Sequence, residues 1–112
     1  RAAAEKLLIE NIKNESPDPS SIRAQAGKNT LAVGFLGSNV ITPVLTDTGN
    51  AEVSYDLLLQ DDLPSWLFEV KAGATTVWER WNSYTPGVGF GDSEMNSFNH
   101  YAYGSVVEWM YR

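Results

Sequence analysis

Val40-Ile41-Thr42-Pro43-Val44-Leu45-Thr46-Asp47-Thr48-Gly49-Asn50-Ala51-Glu52-Val53-Ser54-Tyr55-Asp56-Leu57-Leu58-Leu59 decides the fold class. Val40, Ile41, Val44, Leu45 and Thr48 recur at helical spacing, with Ser38 or Asn39 as the expected cap and Gly49 as the stop. Pro43 falls near the first turn, where a missing N–H costs least. Asn50 is placed to cap a second helix, whose apolar stripe is Ala51, Tyr55, Leu58 and Leu59. Helix, Gly-Asn break, helix: the unit is a helical hairpin.

Working outward, the pattern repeats. Residues 1–14 are rich in strong helix formers and carry Ala4, Leu8 and Ile12 on one stripe, with Ile9 beside it. Residues 15–29 have turn chemistry and no clear period, which predicts a mobile loop. Residues 31–37 read as a buried bend or short extended piece. Asp61-Asp62-Leu63-Pro64 starts another short helix, carrying Trp66, Leu67 and Val70 and ending at Gly73. Thr75 to Trp81 is β-branched and aromatic, so a short extended segment is expected near 75–79. Residues 82–93, with Pro86, Gly87, Gly89 and Gly91, make a loop. A last helix is expected from about Glu94 to Arg112, with Met95, Phe98, Ala102, Val106 and Trp109 on one stripe. Tyr101, Tyr103, Val107 and Met110 make that helix apolar nearly all round, so it must be buried on several sides.

Composition narrows the class. The chain has 112 residues and no cysteine, which excludes disulfides and thiolate metal sites. Its net charge of −6 disfavours nucleic acid as a partner. No apolar run approaches the roughly 18 residues of a membrane span, so no membrane partner is expected. No His/carboxylate set has ligand spacing, and no phosphate loop is present, so neither metal nor cofactor is expected. The opening Arg1-Ala2-Ala3-Ala4 and the ending Tyr111-Arg112 both fall inside helical patterns. Too few helices are present to bury the apolar faces. The expectation is one mainly α domain that is a fragment of something larger, and that self-associates when isolated.

The densest chemistry is Trp78-Glu79-Arg80-Trp81-Asn82, followed by Asn96-Ser97-Phe98-Asn99-His100-Tyr101. Sugar sites combine aromatic faces with carboxylates, amides and imidazole, and glycoside hydrolysis needs two carboxylates. Pattern alone leaves blander readings open: Glu79 as a surface or paired residue, His100 as a satisfied core histidine, and the tryptophans as core.

These same residues carry a family resemblance. Gly73-Ala74-Thr75-Thr76-Val77-Trp78-Glu79-Arg80-Trp81 resembles the segment bearing the catalytic base in bacterial α-L-rhamnosidases of glycoside hydrolase family 78. Met95-Asn96-Ser97-Phe98-Asn99-His100-Tyr101-Ala102-Tyr103-Gly104 is similar to the helix that follows it there. Gly34-Phe35-Leu36-Gly37 and Asp62-Leu63-Pro64-Ser65-Trp66-Leu67 resemble preceding segments in the same order. The resemblance implies helical hairpins forming part of an (α/α)6 toroid, acting by inversion on rhamnose-containing glycosides. It implies Glu79 as general base, His100 in the rhamnose subsite, Trp81 and Trp78 as candidate pocket walls, and Arg80 in a structural ion pair. The general acid would come from the rest of the catalytic domain, leaving the isolated fragment inactive. Val33 and Ser38 stand where the family usually has threonine, Asn82 where aspartate is frequent, and residues 15–29 look like an insertion. Two alternatives remain: an (α/α)6 hydrolase for another sugar, and a non-catalytic carbohydrate-binding or interaction module.

Overall fold

The computed structural model describes residues 1–20, 26–31 and 33–112. Helix α1 (Ala2–Lys13) ends where Asn14 turns into the left-handed region, its N–H donating to the Glu10 carbonyl. Ile12 is buried, and Leu8 and Ile9 pack beside it, as the stripe predicts. The expected loop at 15–29 is non-helical where described, with an Asx turn at Asp18–Ser20. Residues 21–25 of that loop lie outside the described residues. Its ends meet: Asn29 donates its N–H to Ile12 O, and Asn14 Nδ2 donates to Ala26 O.

For residues 31–37 the expectation of a buried bend or short extended piece holds at Leu31, 1% exposed and non-helical, and is corrected from Phe35 on. Phe35–Ser38 forms a single helical turn, α2, with Leu36 91% exposed. Gly37 is needed there, because a Cβ would stand 2.9 Å from Val33 Cβ. Helix α3 (Ile41–Asp47) and helix α4 (Ala51–Leu59) are the expected hairpin, broken at Gly49 with φ +85°. The caps differ from expectation. Val40 occupies the cap position of α3, and Ser38 donates instead to Phe35 O. Asn50 does cap α4 by position, but its amide donates to Thr48 rather than accepting from the helix.

The hairpin closes tightly through small polar residues. Ser54 Oγ donates to Thr42 O at 3.0 Å, with both residues fully buried. Val53 and Leu57 of α4 join Ile41 and Leu45 of α3 in the core. The predicted α4 stripe is displaced by this: Tyr55 and Leu59 are exposed while Leu58 packs on the core edge. Helix α5 (Trp66–Lys71) begins four residues after Asp62, capped by Ser65 Oγ, which accepts the Phe68 N–H. Trp66 anchors it in the core and donates from Nε1 to Tyr103 O at 2.8 Å.

Two features depart from the expected pattern downstream. The loop at 82–93 contains a small antiparallel hairpin, β1 (Tyr84–Thr85) and β2 (Gly89–Phe90), pairing Tyr84 with Phe90. Positive φ at Gly87 and Gly89 supplies the turn. The long last helix is absent. Residues 94–101 are irregular, a 3-10 turn runs Ala102–Ser105, and helix α6 spans only Val106–Met110. Polar side chains compete for the backbone there: Asn96 Nδ2 donates to Ser83 O, and Ser97 Oγ accepts the Asn99 N–H. The stripe survives only where the helix does, at Ala102, Val106 and Trp109. Trp109 ties α6 to the hairpin, donating from Nε1 to Thr46 Oγ1.

Candidate active site

The extended segment expected near 75–79 is not a regular strand, but it does pair. Glu79 donates its N–H to Ser97 O at 2.9 Å, and His100 donates its N–H to Val77 O at 2.8 Å. The two segments run antiparallel, yet the second has one residue more between its bonded positions. Such an extra residue interrupts a ladder as a bulge does. Thr76 Oγ1 adds a third tie by donating to Phe98 O.

Side chains alternate across this segment. Trp78 points into the core, 4% exposed, its ring edge-on to Phe98 at 5.4 Å. Glu79 is half-buried on the other side, and its Oε2 accepts the Ser97 N–H at 2.7 Å. Glu79 Oε1 makes no bond among the described residues. Arg80 turns away to Asp92, 3.6 Å from its carboxylate, and donates from Nε to Met95 O at 2.7 Å. That is the ion pair expected for it. The Asp92 carboxyl is held below its ordinary range, chiefly by the N–H of Glu94, then by that of Met95, with Arg80 a lesser cause.

His100 sits in an aromatic stack. Phe35 lies on its ring at 4.8 Å and 13°, and Tyr101 at 5.3 Å and 9°. Its Nδ1 accepts the Ala102 N–H at 3.3 Å, which leaves Nε2 to carry the proton in the neutral ring. An open cleft beside it is lined by Thr76, Val77, Asn99, His100, Tyr101 and Gly104. Glu79 is not among its lining residues.

The two tryptophans are placed differently from each other. Trp81 is partly buried, stacked on Tyr103 at 3.8 Å and edge-on to Trp66, with its Nε1 donating to Val33 O. Trp78 reaches a separate cleft, with Ala72, Tyr84, Phe90 and Phe98, on the side of the small hairpin. Of these two clefts, one is lined by Trp78 and the other by His100. Among the described residues no group of three or more His, Cys, Asp or Glu could hold a metal, and no helix is long and apolar enough to cross a membrane.

Three residues packed about the site received no role from sequence reasoning. Ser97 acts through its backbone, which no residue type announces. Phe35 meets His100 only after folding. Glu69 is buried in α5 at 4% exposure, and its signal was its place one turn after Trp66 on the buried stripe.

Residues 18–112 match the model of the bacterial alpha-L-rhamnosidase 6 hairpin glycosidase domain. The chain belongs to that family. It is 59% identical over 105 residues to an alpha-L-rhamnosidase of Streptomyces avermitilis, and 44% identical over 110 residues to one of Formosa agariphila. Those alignments cover 94% and 98% of this chain but 10% and 12% of the relatives, so the chain spans about a tenth of their length. Among solved structures, native rhamnosidase from Aspergillus terreus superposes with a TM-score of 0.82 at 34% identity, over 97% of this chain and 11% of that one. The Streptomyces avermitilis enzyme complexed with L-rhamnose gives a TM-score of 0.71 at 58% identity, over 73% and 8%.

Proposed function

We propose that this chain supplies the general base and part of the sugar subsite of an inverting α-L-rhamnosidase that releases terminal α-L-rhamnosyl groups. The observation that carries the reading is the pairing of Val77–Glu79 with Ser97–His100 through two backbone hydrogen bonds. It sets the one histidine and a half-buried carboxylate on adjoining segments, with one carboxylate oxygen bonded to Ser97 and the other without a partner among the described residues.

In this reading Glu79 deprotonates a water, which attacks the anomeric carbon opposite the leaving group. His100 Nε2 donates to a sugar hydroxyl, and the Phe35 and Tyr101 rings hold the imidazole plane. Trp81, stacked on Tyr103, is the candidate pocket wall, and Trp78 packs behind the base segment. The partner carboxyl, the general acid, stands roughly 6.5–9.5 Å away in an inverting site. It comes from the remainder of the catalytic domain, an (α/α)6 toroid of which this chain is one part. Alone, the chain has a base without its acid and is inactive. Its membership of the rhamnosidase family supports the sugar; the exposed helix faces support the missing neighbours.

The test is Glu79→Gln in the full-length protein. Turnover of an aryl α-L-rhamnoside is expected to fall by about two to four decades, with rhamnose affinity within about tenfold. Near-normal turnover would remove the base role. Aryl glycosides of other sugars test the substrate: release of a different sugar alone would overturn the rhamnoside assignment.

A further inference from the structure

Glu69 has no part in the chemistry above, yet among the described residues it is the one buried carboxyl group, 4% exposed. It lies in α5, directly beneath the segment that carries Glu79. Its side chain Oε2 accepts the N–H of Trp78, the residue immediately before the proposed base, at 3.3 Å. Its backbone carbonyl accepts the N–H of Ala74 at 3.0 Å. One residue thus holds both ends of the turn from α5 to Trp78. Its other oxygen, Oε1, is buried with no hydrogen-bond partner among the described residues.

On the far side the same segment is tied to Ser97 and His100. The loop at 75–79 has no strand or helix of its own to stiffen it. Its position is fixed by Glu69 on the core side and by the 97–100 segment on the other. We infer that Glu69 is a positioning residue for the proposed general base, acting through the Trp78 N–H to set the height of the Glu79 backbone. The inference rests on the reading of Glu79 given above.

What the role requires is an acceptor at this depth, not a charge. Burial favours the neutral carboxyl, whose carbonyl oxygen accepts an N–H as an amide carbonyl does. Glu69→Gln therefore keeps the tie, while Glu69→Met fills a similar volume and deletes it. Base placement sensitive to about 1 Å can change rates by about a hundredfold without altering ground-state binding.

The experiment compares both variants in the full-length protein on an aryl α-L-rhamnoside, with thermal unfolding and rhamnose binding measured alongside. Glu69→Met is expected to lose at least tenfold in kcat, with KM and rhamnose affinity within about threefold, and Glu69→Gln to stay within threefold of the parent. Two results would overturn the inference: Glu69→Met keeping kcat within threefold, or Glu69→Gln losing as much as Glu69→Met. A parallel fall in kcat and in rhamnose affinity would also overturn it, because general disruption would then explain the loss. Should Glu69→Met fail to fold, Glu69→Leu is read by the same criteria. Glu79→Gln in the same assay keeps the two claims apart. If it abolishes turnover while Glu69→Met does not, the positioning role falls and the base stands.

Discussion

Ser97 holds Glu79 at both ends, accepting its backbone N–H at 2.9 Å and donating its own N–H to Oε2 at 2.7 Å. A charge-assisted bond from a backbone N–H is strong, and it is also immobile, because the donor cannot rotate away as a side chain can. The carboxylate is therefore aimed by main chain. This explains why a segment without regular strand geometry can still present a defined side chain.

The consequence is a substitution pair with opposite expectations. Ser97→Ala keeps the N–H and removes only the hydroxyl that contacts Asn99, so kcat should stay within about threefold. Ser97→Pro removes the N–H and releases Oε2, and kcat on an aryl rhamnoside should fall by roughly ten- to a hundredfold in the full-length protein. Equal activity in the two variants would show that the Ser97 N–H does not orient the carboxylate.

Glu69 makes the stability of this region depend on pH. Burial raises its carboxyl from 4.5 to about 7, against a smaller lowering by the Trp78 N–H. In the unfolded chain the proton leaves from about pH 4.5; in the folded chain it stays until about pH 7. Between these values the folded state binds more protons, so stability falls as pH rises through the window. The contribution present at low pH and lost above about 7 is at most about 3 kcal/mol. Tyr103, whose hydroxyl is pushed up by burial and then by Glu69, titrates above that window. Glu69→Gln lacks the titration, so its Tm relative to the parent should rise steadily between pH 5 and pH 8. A constant difference across that range would show that Glu69 is not protonated in the native state at pH 5–7.

The sequence carried the helical hairpin well because Gly49 and Asn50 interrupt a period that nothing else disputes. It carried the site as residue types, through Trp78-Glu79-Arg80-Trp81 and Asn99-His100-Tyr101. What it could not carry was the long last helix, since apolar periodicity at 95–110 outweighed the Asn and Ser side chains that in fact take the backbone. Stripe membership also misled in α4, where Ser54 approaches Thr42 closely and turns Tyr55 outward. Close packing of small polar residues leaves no hydrophobic signal. Nor could spacing separate Trp78 from Trp81, because which face of an extended segment meets the core is settled by tertiary partners.

A second link joins α2 to the site through Gly37. An added Cβ there would meet Val33 Cβ at 2.9 Å and Cγ1 at 3.1 Å, and the Val33 carbonyl accepts the Trp81 indole N–H. Gly37→Ala should therefore cost about 1–3 kcal/mol by forcing Val33 to move. Val33→Ala in the same chain removes Cγ1 and should recover part of that loss, giving a coupling of about 0.5 kcal/mol or more in a double-mutant cycle on thermal stability. Strict additivity would mean that the Val33 Cγ atoms add nothing to the cost of Gly37→Ala, the Cβ contact at 2.9 Å being kept by alanine.

Val40, Val44, Tyr55, Leu59, Val107 and Met110 are all exposed on α3, α4 and α6 or at their ends, although they belong to helices whose other faces form the core. In the ring proposed above these faces would meet further hairpins; the chain spans about a tenth of the length of the curated relatives it matches. Water is a poor substitute for such neighbours, because contiguous apolar surface beyond a few hundred Å² drives association. The 112-residue chain produced alone should therefore self-associate at micromolar concentration, with light scattering reporting a mass above 12.4 kDa that grows with concentration. Replacing Val44, Tyr55 and Met110 together by glutamine should reduce that mass, since none of the three is buried in the core. A sharp monomer peak for the unaltered chain would show that these faces are not seeking partners.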